Sequence, residues 1–358
     1  MIRFIGSCLV LIFCIHSFAG DPDNFSGRNT PPQNEMIDEA IQEKLKLIVE
    51  THNAKNEKQV DCDKQLLDAL MTKTFDRNFP NVYDIFDKVQ MDGPSKIEKS
   101  VLDGQILSIL YAPSITLQKG NKTFSVGVDK IDHFFSHSYL YWKAVGEDAT
   151  LPEGKVRRAL KLGMDQEDGP WGLKGSGVKS YADLEANYRG IYFWRDLWNG
   201  KPPYFKCVDG KIILSRLFKI EQYITAGFDE AINCSSYKNK EFTQHMLEAT
   251  KKLNLKCPID PSECTKLVKA TPEDYREYLI HPLCRGQAHN QTEEANSMTA
   301  KDVMDTAAAL TSVGNLFTIF FPNKPDAHII NKKTELIQGI QRGIFNPIPE
   351  DKKEGTSR

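Results

Sequence analysis

The sequence has no dominant sign of charge: 46 Lys and Arg nearly cancel 48 Asp and Glu, leaving a formal net charge of −2. That balance removes the electrostatic case for a nucleic-acid partner or an anionic membrane surface. No internal repeat at solenoid periods is visible, so stacked-repeat architectures are excluded. Neither G-x-x-x-x-G-K-S/T nor a strand-linked G-x-G-x-x-G occurs, which removes the common phosphate-binding loops. No Glu directly follows His133, so the H-E-x-x-H metalloprotease pattern fails. Thr306 to Phe321 carries no charge, but it is shorter than the roughly 20 residues of a spanning helix. It also holds Thr311, Ser312 and Asn315, which suit a buried helix better. What is present is ample material for a core, 40% hydrophobic and 10% aromatic residues. That excludes wholesale disorder and collagen-like or coiled-coil classes.

The N-terminus reads as an address. Arg3 precedes an apolar run from Phe4 to Ile15, and Ser17-Phe18-Ala19 places small residues at the −3 and −1 positions of a cleavage site. A secretory signal over residues 1–19, cleaved after Ala19, is therefore expected, with a periplasmic or secreted mature chain. Bulky Phe13 before Cys14 argues against lipidation there. Six cysteines remain after cleavage: Cys62, Cys207, Cys234, Cys257, Cys264 and Cys284. An even count in an oxidising compartment favours disulfides over zinc ligation, and six allow 15 pairings. Four of them fall between 234 and 284, which predicts a stapled C-terminal subregion and a bridged Cys284 beside His281 and His289.

Periodicity predicts a mainly α protein, a helical bundle with a small β-hairpin or sheet element near 105–128. A disordered leader covers 20–34, a helical motif-bearing domain 35–233, a disulfide-stapled helical region 234–345, and a flexible tail 346–358. Helices are expected over Glu35–Asn53, Cys62–Lys73, Ile131–Gly146, Gly154–Gly163, Ser180–Trp198, Ile212–Asn233, Lys240–Leu253 and Pro272–Ile280. Two more are expected over Ala300–Phe321 and Ile329–Gly343. Asp168–Lys179, with four glycines and Pro170, reads as a loop.

Three stretches hold candidate chemistry. In Asp129-Lys130-Ile-Asp132-His133-Phe134-Phe-Ser-His137, the two histidines stand four apart on one helical face, a spacing able to chelate a divalent metal such as zinc. The plainer alternative is an aspartate cap with His133 as a satisfied core histidine. Asp165-Gln-Glu167-Asp168 supplies acids beside a glycine-rich connection containing Trp171, with Glu167 the general acid/base candidate. Ser180-Tyr-Ala-Asp183 has the form of a capping box, while Asn187 lies on or beside the apolar stripe of its helix and must find partners.

D-K-x-x-H-F followed about fifty residues later by S-x-x-D-L-x-A-N-x-x-G resembles a set of uncharacterised exported proteins of Gram-negative bacteria, and the order of motifs is similar to that of small YfiM-type envelope lipoproteins. The matching residues are Asp129, Lys130, His133, Phe134, Glu167, Ser180, Asp183, Leu184, Ala186, Asn187 and Gly190, with a further shared stretch around Phe228-Asp229-Glu230 and Asn233-Cys234. The resemblance implies an envelope location and one shared site, but no activity. His137 lies outside the pattern, which weakens the metal reading.

Two functions compete. One is an envelope hydrolase acting on a cell-wall glycan, peptide or lipid, with His133 or Glu167 as general acid/base. Asp183 would orient it, and Asp129, Lys130, Asn187, Ser180 and Trp171 would line the site. The other is a non-catalytic envelope protein whose Asp–His–Asn cluster is a buried polar network. A His133/His137 metal site is third. No cofactor is required by the first two readings, and the expected partner is a cell-wall or envelope component.

Overall fold

Apolar residues three and four apart put Ile37, Ile41, Leu45 and Ile48 on the buried face of α1 (Asn34–Lys55), with His52 closing the stripe. The structure, a computed structural model, describes residues 30–56, 61–75, 114–169, 172–174, 176–252, 254–293 and 295. All of these belong to one unit, Met1–Ser297. The expected signal, strand residues 105–113, Trp171, the helices over 300–321 and 329–343, and the tail lie outside the described residues.

Helix α2 (Lys64–Phe75) buries Leu67, Met71 and Phe75 against α1 and the segment that follows the first hairpin. That hairpin pairs β1 (Ser114–Lys119) with β2 (Lys122–Gly127) in antiparallel register, Ile115 opposite Val126 and Leu117 opposite Phe124. The chain then enters one helical run: α3 (Val128–Asp132), a π turn (His133–His137) and α4 (Ser138–Ala144). Helix α5 (Glu153–Glu167), strand β3 (Val178–Ser180) and helix α6 (Tyr181–Asn199) follow. Beyond them lie the hairpin β4 (Phe205–Val208) with β5 (Lys211–Leu214), and β6 (Ser235–Tyr237), which pairs antiparallel with β3. Helices α7 (Lys240–Lys252), α8 (Pro261–Ala270) and α9 (Arg276–Leu279) complete the described chain. The mainly α architecture with small two-stranded sheets is as expected.

Helix α6 is the centre. Fourteen of its nineteen residues are buried, so both its apolar and its polar positions face other elements. It packs against α4 and the π turn. Phe193 meets Phe135 edge-on at 5.1 Å, and Phe135 stacks on Phe75 at 4.9 Å. Rings of Phe218 and Tyr223 extend this aromatic core.

Two assignments change. Ile212–Asn233 is not a helix: Lys211–Leu214 is a strand, and 3₁₀ turns at Ile220–Gln222 and Ala226–Phe228 carry the rest. Asp209-Gly210 takes positive φ at both residues (49° and 74°) and closes a two-residue hairpin, with Val208 opposite Lys211. That geometry matches the twist of the flanking strands and outcompetes helix. Spaced burial of Phe218, Ile220, Ile224 and Phe228 imitates a helical stripe without a helix. Helix α8 was not anticipated, although Asp260 caps it by accepting the Ser262 and Glu263 N–H groups and Pro261 opens its first turn.

All six cysteines after the expected signal are paired: Cys62–Cys207, Cys234–Cys257 and Cys264–Cys284. The first ties the segment before α2 to β4 across 145 residues, and the other two staple 234–284. Three disulfides fit a protein of an oxidising, extracytoplasmic compartment. Among the described residues no helix is long and apolar enough to cross a membrane.

Candidate functional site

The site begins with a distortion. In the π turn, i→i−4 pairing is interrupted, and the carbonyls it frees find other donors. The Trp194 indole N–H donates to Phe135 O at 3.0 Å and to Ser138 Oγ at 3.1 Å, while Ser138 Oγ donates to Phe134 O. Side chains inserted into the helical ladder are one of the few causes of such turns. Gly190 of α6 permits the approach. A Cβ there would lie 2.1 Å from Phe134 O and 2.2 Å from the Ser138 side chain. The two helices are therefore in backbone-to-backbone contact where the site forms.

Lys130 is the hub. Its ammonium is fully buried and lies 2.7 Å from Asp129 Oδ2, 2.9 Å from Asp183 Oδ1 and 2.9 Å from Glu230 Oε1. Three N–H donors thus meet three carboxyl groups. Ser180 caps α6, its Oγ accepting the Asp183 N–H at 3.2 Å. The same hydroxyl oxygen stands 2.9 Å from Asp183 Oδ1 and 2.8 Å from Glu230 Oε1, so its single proton serves one of them at a time. The capping reading of Ser180 holds, and the residue is also a member of the cluster.

His133 joins from the first position of the π turn. Its Nδ1 is 3.3 Å from Asn187 Oδ1, and Asn187 Nδ2 donates to Tyr141 OH at 3.3 Å. With the amide so oriented, the proton on His133 belongs on Nδ1. Nε2 stands 3.2 Å from Asp183 Oδ2, at ion-pair distance but off the line of a well-directed hydrogen bond. Tyr141 reaches Asn187 only because Gly163 faces it: a Cβ at Gly163 would fall 1.6 Å from the Tyr141 hydroxyl oxygen.

Glu167 ends α5, which runs one turn longer than the expected 154–163, so the acid sits on the helix and not in the loop. Its Oε2 accepts the Ser180 N–H at 3.0 Å. The glycine-rich loop folds back over it, with the Leu173 N–H donating to Glu167 O at 2.7 Å. Gly172 is required there, since a Cβ would come 2.0 Å from that same oxygen. The loop's glycines serve close packing around an acid.

Carboxyl groups outnumber cations in this buried space. Burial raises the Asp129 carboxyl; the neighbouring Lys130 pulls it down, Asp183 and Glu230 push it up, and the balance lies at about 7. Burial, then the proximity of Asp183, holds Glu167 well above the usual carboxylate range. The Tyr141 phenol is also raised, first by burial and then by Glu167.

The structure thus brings Asp129, Lys130, His133, Glu167, Ser180, Asp183 and Asn187 into one connected cluster. It adds two residues that the sequence reasoning did not place there, Glu230 and Tyr141. The signal for Glu230 was its position in the shared 228–234 stretch; for Tyr141 it was the stripe from His133 and His137. His137 is half-buried, its ring 4.2 Å from that of His133 and tilted by 56°. Among the described residues no group of three His, Cys, Asp or Glu side chains is arranged to hold a metal ion. The cluster is also closed: Lys130, Ser180 and Asp183 have no exposed surface, and Asp129, at 8%, is its most open member.

No family model, curated protein or solved structure matches the chain.

Proposed function

We propose that the Lys130 cluster is an internal polar lock, and that the protein acts in the cell envelope as an exported, non-catalytic binding or structural protein. The observation that carries this reading is closure: a fully buried ammonium meets three carboxyl groups, and His133, Asn187 and Tyr141 extend the chain of contacts inward from it. A substrate needs access to reacting groups, whereas a lock needs its groups enclosed and paired; of the cluster's oxygens, Asp129 Oδ1 and Asp183 Oδ2 accept no hydrogen bond. Three helical elements, the end of α5 and the segment carrying Glu230 meet at this point, so the network fixes their register. The secretory signal and envelope location belong to the same proposal, supported by the three disulfides. Replacing His133→Ala should lower the melting temperature with no separate functional defect. Incubation of the purified chain with peptidoglycan, peptide and ester substrates should release no product.

A second reading keeps the hydrolase. What favours it is that burial and nearby Asp183 raise the Glu167 carboxyl well above its usual range while Asp129 is poised at about 7, the kind of shift that general acids and bases need. Hydrolysis of any envelope substrate that disappears in Glu167→Gln with the fold retained would replace the first reading by this one.

A further inference from the structure

Apart from the Lys130 cluster, a hollow opens between α2, α4 and α6. Its walls hold Tyr139, Trp142, Trp194 and Trp198, with Leu197 between them. The whole chain has four tryptophans, and three of them line this one place. Around the rim stand Lys64, Asp68, Lys143, Glu147 and Asn199. None of these residues belongs to the buried network.

The rings are fixed rather than loosely disposed. The Trp194 N–H is committed to Phe135 O and Ser138 Oγ, and its ring lies 4.8 Å from Tyr139. The Trp198 N–H points to Asp68 Oδ1 at 3.4 Å, and the Lys64 ammonium sits 5.6 Å from the Trp198 ring centre. Trp198 and Tyr139 are half-buried, with the Lys64 and Lys143 ammonium groups over their rings, whereas Trp142 and Trp194 are nearly covered. The enclosed part measures about 30 Å³, room for no more than a water or two. A ligand must therefore lie across this surface and not inside it.

The rim chemistry narrows the class. Two cations and two carboxyl groups balance, and Lys143 is already paired with Glu147, so the rim exerts no net pull on an anion or a cation. Flat rings beside carboxylate, amide and ammonium groups match a molecule with one apolar face and a border of hydroxyl groups. A pyranose ring has that construction: its axial C–H bonds pack on an aromatic face while its hydroxyls donate to carboxylates and accept from ammonium and amide groups. We propose that the α2–α4–α6 hollow is a surface site for a neutral oligosaccharide, with Trp198 as the stacking platform and Asp68 as the principal hydroxyl acceptor. Asp68 suits that task because it is half-buried, and a partly desolvated acceptor makes stronger hydrogen bonds than one in bulk water.

The test uses the full chain with its disulfides intact and three probes: chitotetraose, cellotetraose and maltotetraose. Titration followed by calorimetry and tryptophan fluorescence should give saturable binding of at least one of them in the millimolar range or tighter. Asp68→Asn and Trp198→Ala should each weaken it by about tenfold or more, while Trp198→Phe should retain most of it. Trp198 packs on Phe205 at 6.0 Å, so melting curves accompany each variant. If Trp198→Ala does not fold, the contrast between Asp68→Asn and Trp198→Phe decides. Absence of binding for all three probes overturns the proposal, as does binding that folded Asp68→Asn leaves undiminished.

Discussion

Two buried histidines, His133 and His281, are solvated in opposite ways by the same fold. Both are shielded, at 6% and 0% exposure, and each has a hydroxyl or carboxylate partner. His281 Nδ1 accepts the Leu283 N–H at 3.1 Å, which leaves its proton on Nε2, 3.1 Å from Ser236 Oγ. Burial, followed by nearby His289, Arg285 and Lys179, depresses it to about 3. This Ser–His pair resembles a nucleophile and base only in residue type. The nitrogen facing the serine already carries the proton, so it cannot remove one. His133 carries its proton toward an amide and turns its other nitrogen to a carboxylate. Burial alone does not decide what a histidine does; the group that fixes its tautomer does.

The sharpest way to break the contrast is to remove the buried Lys130 cation from the His133 cluster. Lys130→Met leaves three carboxyl groups buried without their partner and should cost about 3–5 kcal/mol, read as a large drop in melting temperature. Next, Gly190→Ala puts a methyl into the backbone contact on which the π turn depends. It should destabilise by about 1–3 kcal/mol and shift the His133 ring resonances while leaving those of His281 in place.

Smaller effects come from pH, and the two regions differ in sign. His281 stays neutral in the folded chain down to about pH 3, while the unfolded chain takes up that proton below 6.5. Stability from this site is therefore lost as pH falls from 6.5 toward 3, and His281→Gln should flatten that limb of a denaturation series. Asp129 behaves oppositely. The folded chain keeps its proton up to about 7 and the unfolded chain releases it above 3.8, so its contribution is full below 3.8 and lost as pH rises through 7. Asp129→Asn retains an oxygen for Lys130 and should remove the loss of stability between about 3.8 and 7, a window that overlaps that of His281, so the two variants tilt the shared stretch in opposite directions. If the two changes of slope failed to add in the double variant, the two sites would not be independent.

Much of the site was legible before any coordinates. Asp129, Lys130, His133, Glu167, Ser180, Asp183 and Asn187 were all singled out: Asn187 because an amide beside an apolar stripe must find partners, and the set as a whole because the motif resemblance joins these residues from three segments. Glu230 escaped because its segment reads as a helix continuing from 212, whereas the Asp209-Gly210 turn ends that possibility. The helix at Pro261–Ala270 was overlooked despite an Asp-Pro start that is among the more direct local signals. Trp171, expected in the site, lies outside the described residues.

The sequence by itself determined most of the helices and the chemistry they carry: six cysteines for pairing, apolar stripes for the long helices, and polar residues where a core should be. Those are local properties, set by side-chain size, spacing and solvation. Which cysteine meets which, which nitrogen of each histidine holds the proton, and which carboxyl groups share the Lys130 ammonium were decided only by tertiary structure. The reason is distance: residues 50 to 145 positions apart become neighbours at 2–3 Å, and a close approach at Gly190 and Gly163, not a pattern along the chain, determines who touches whom.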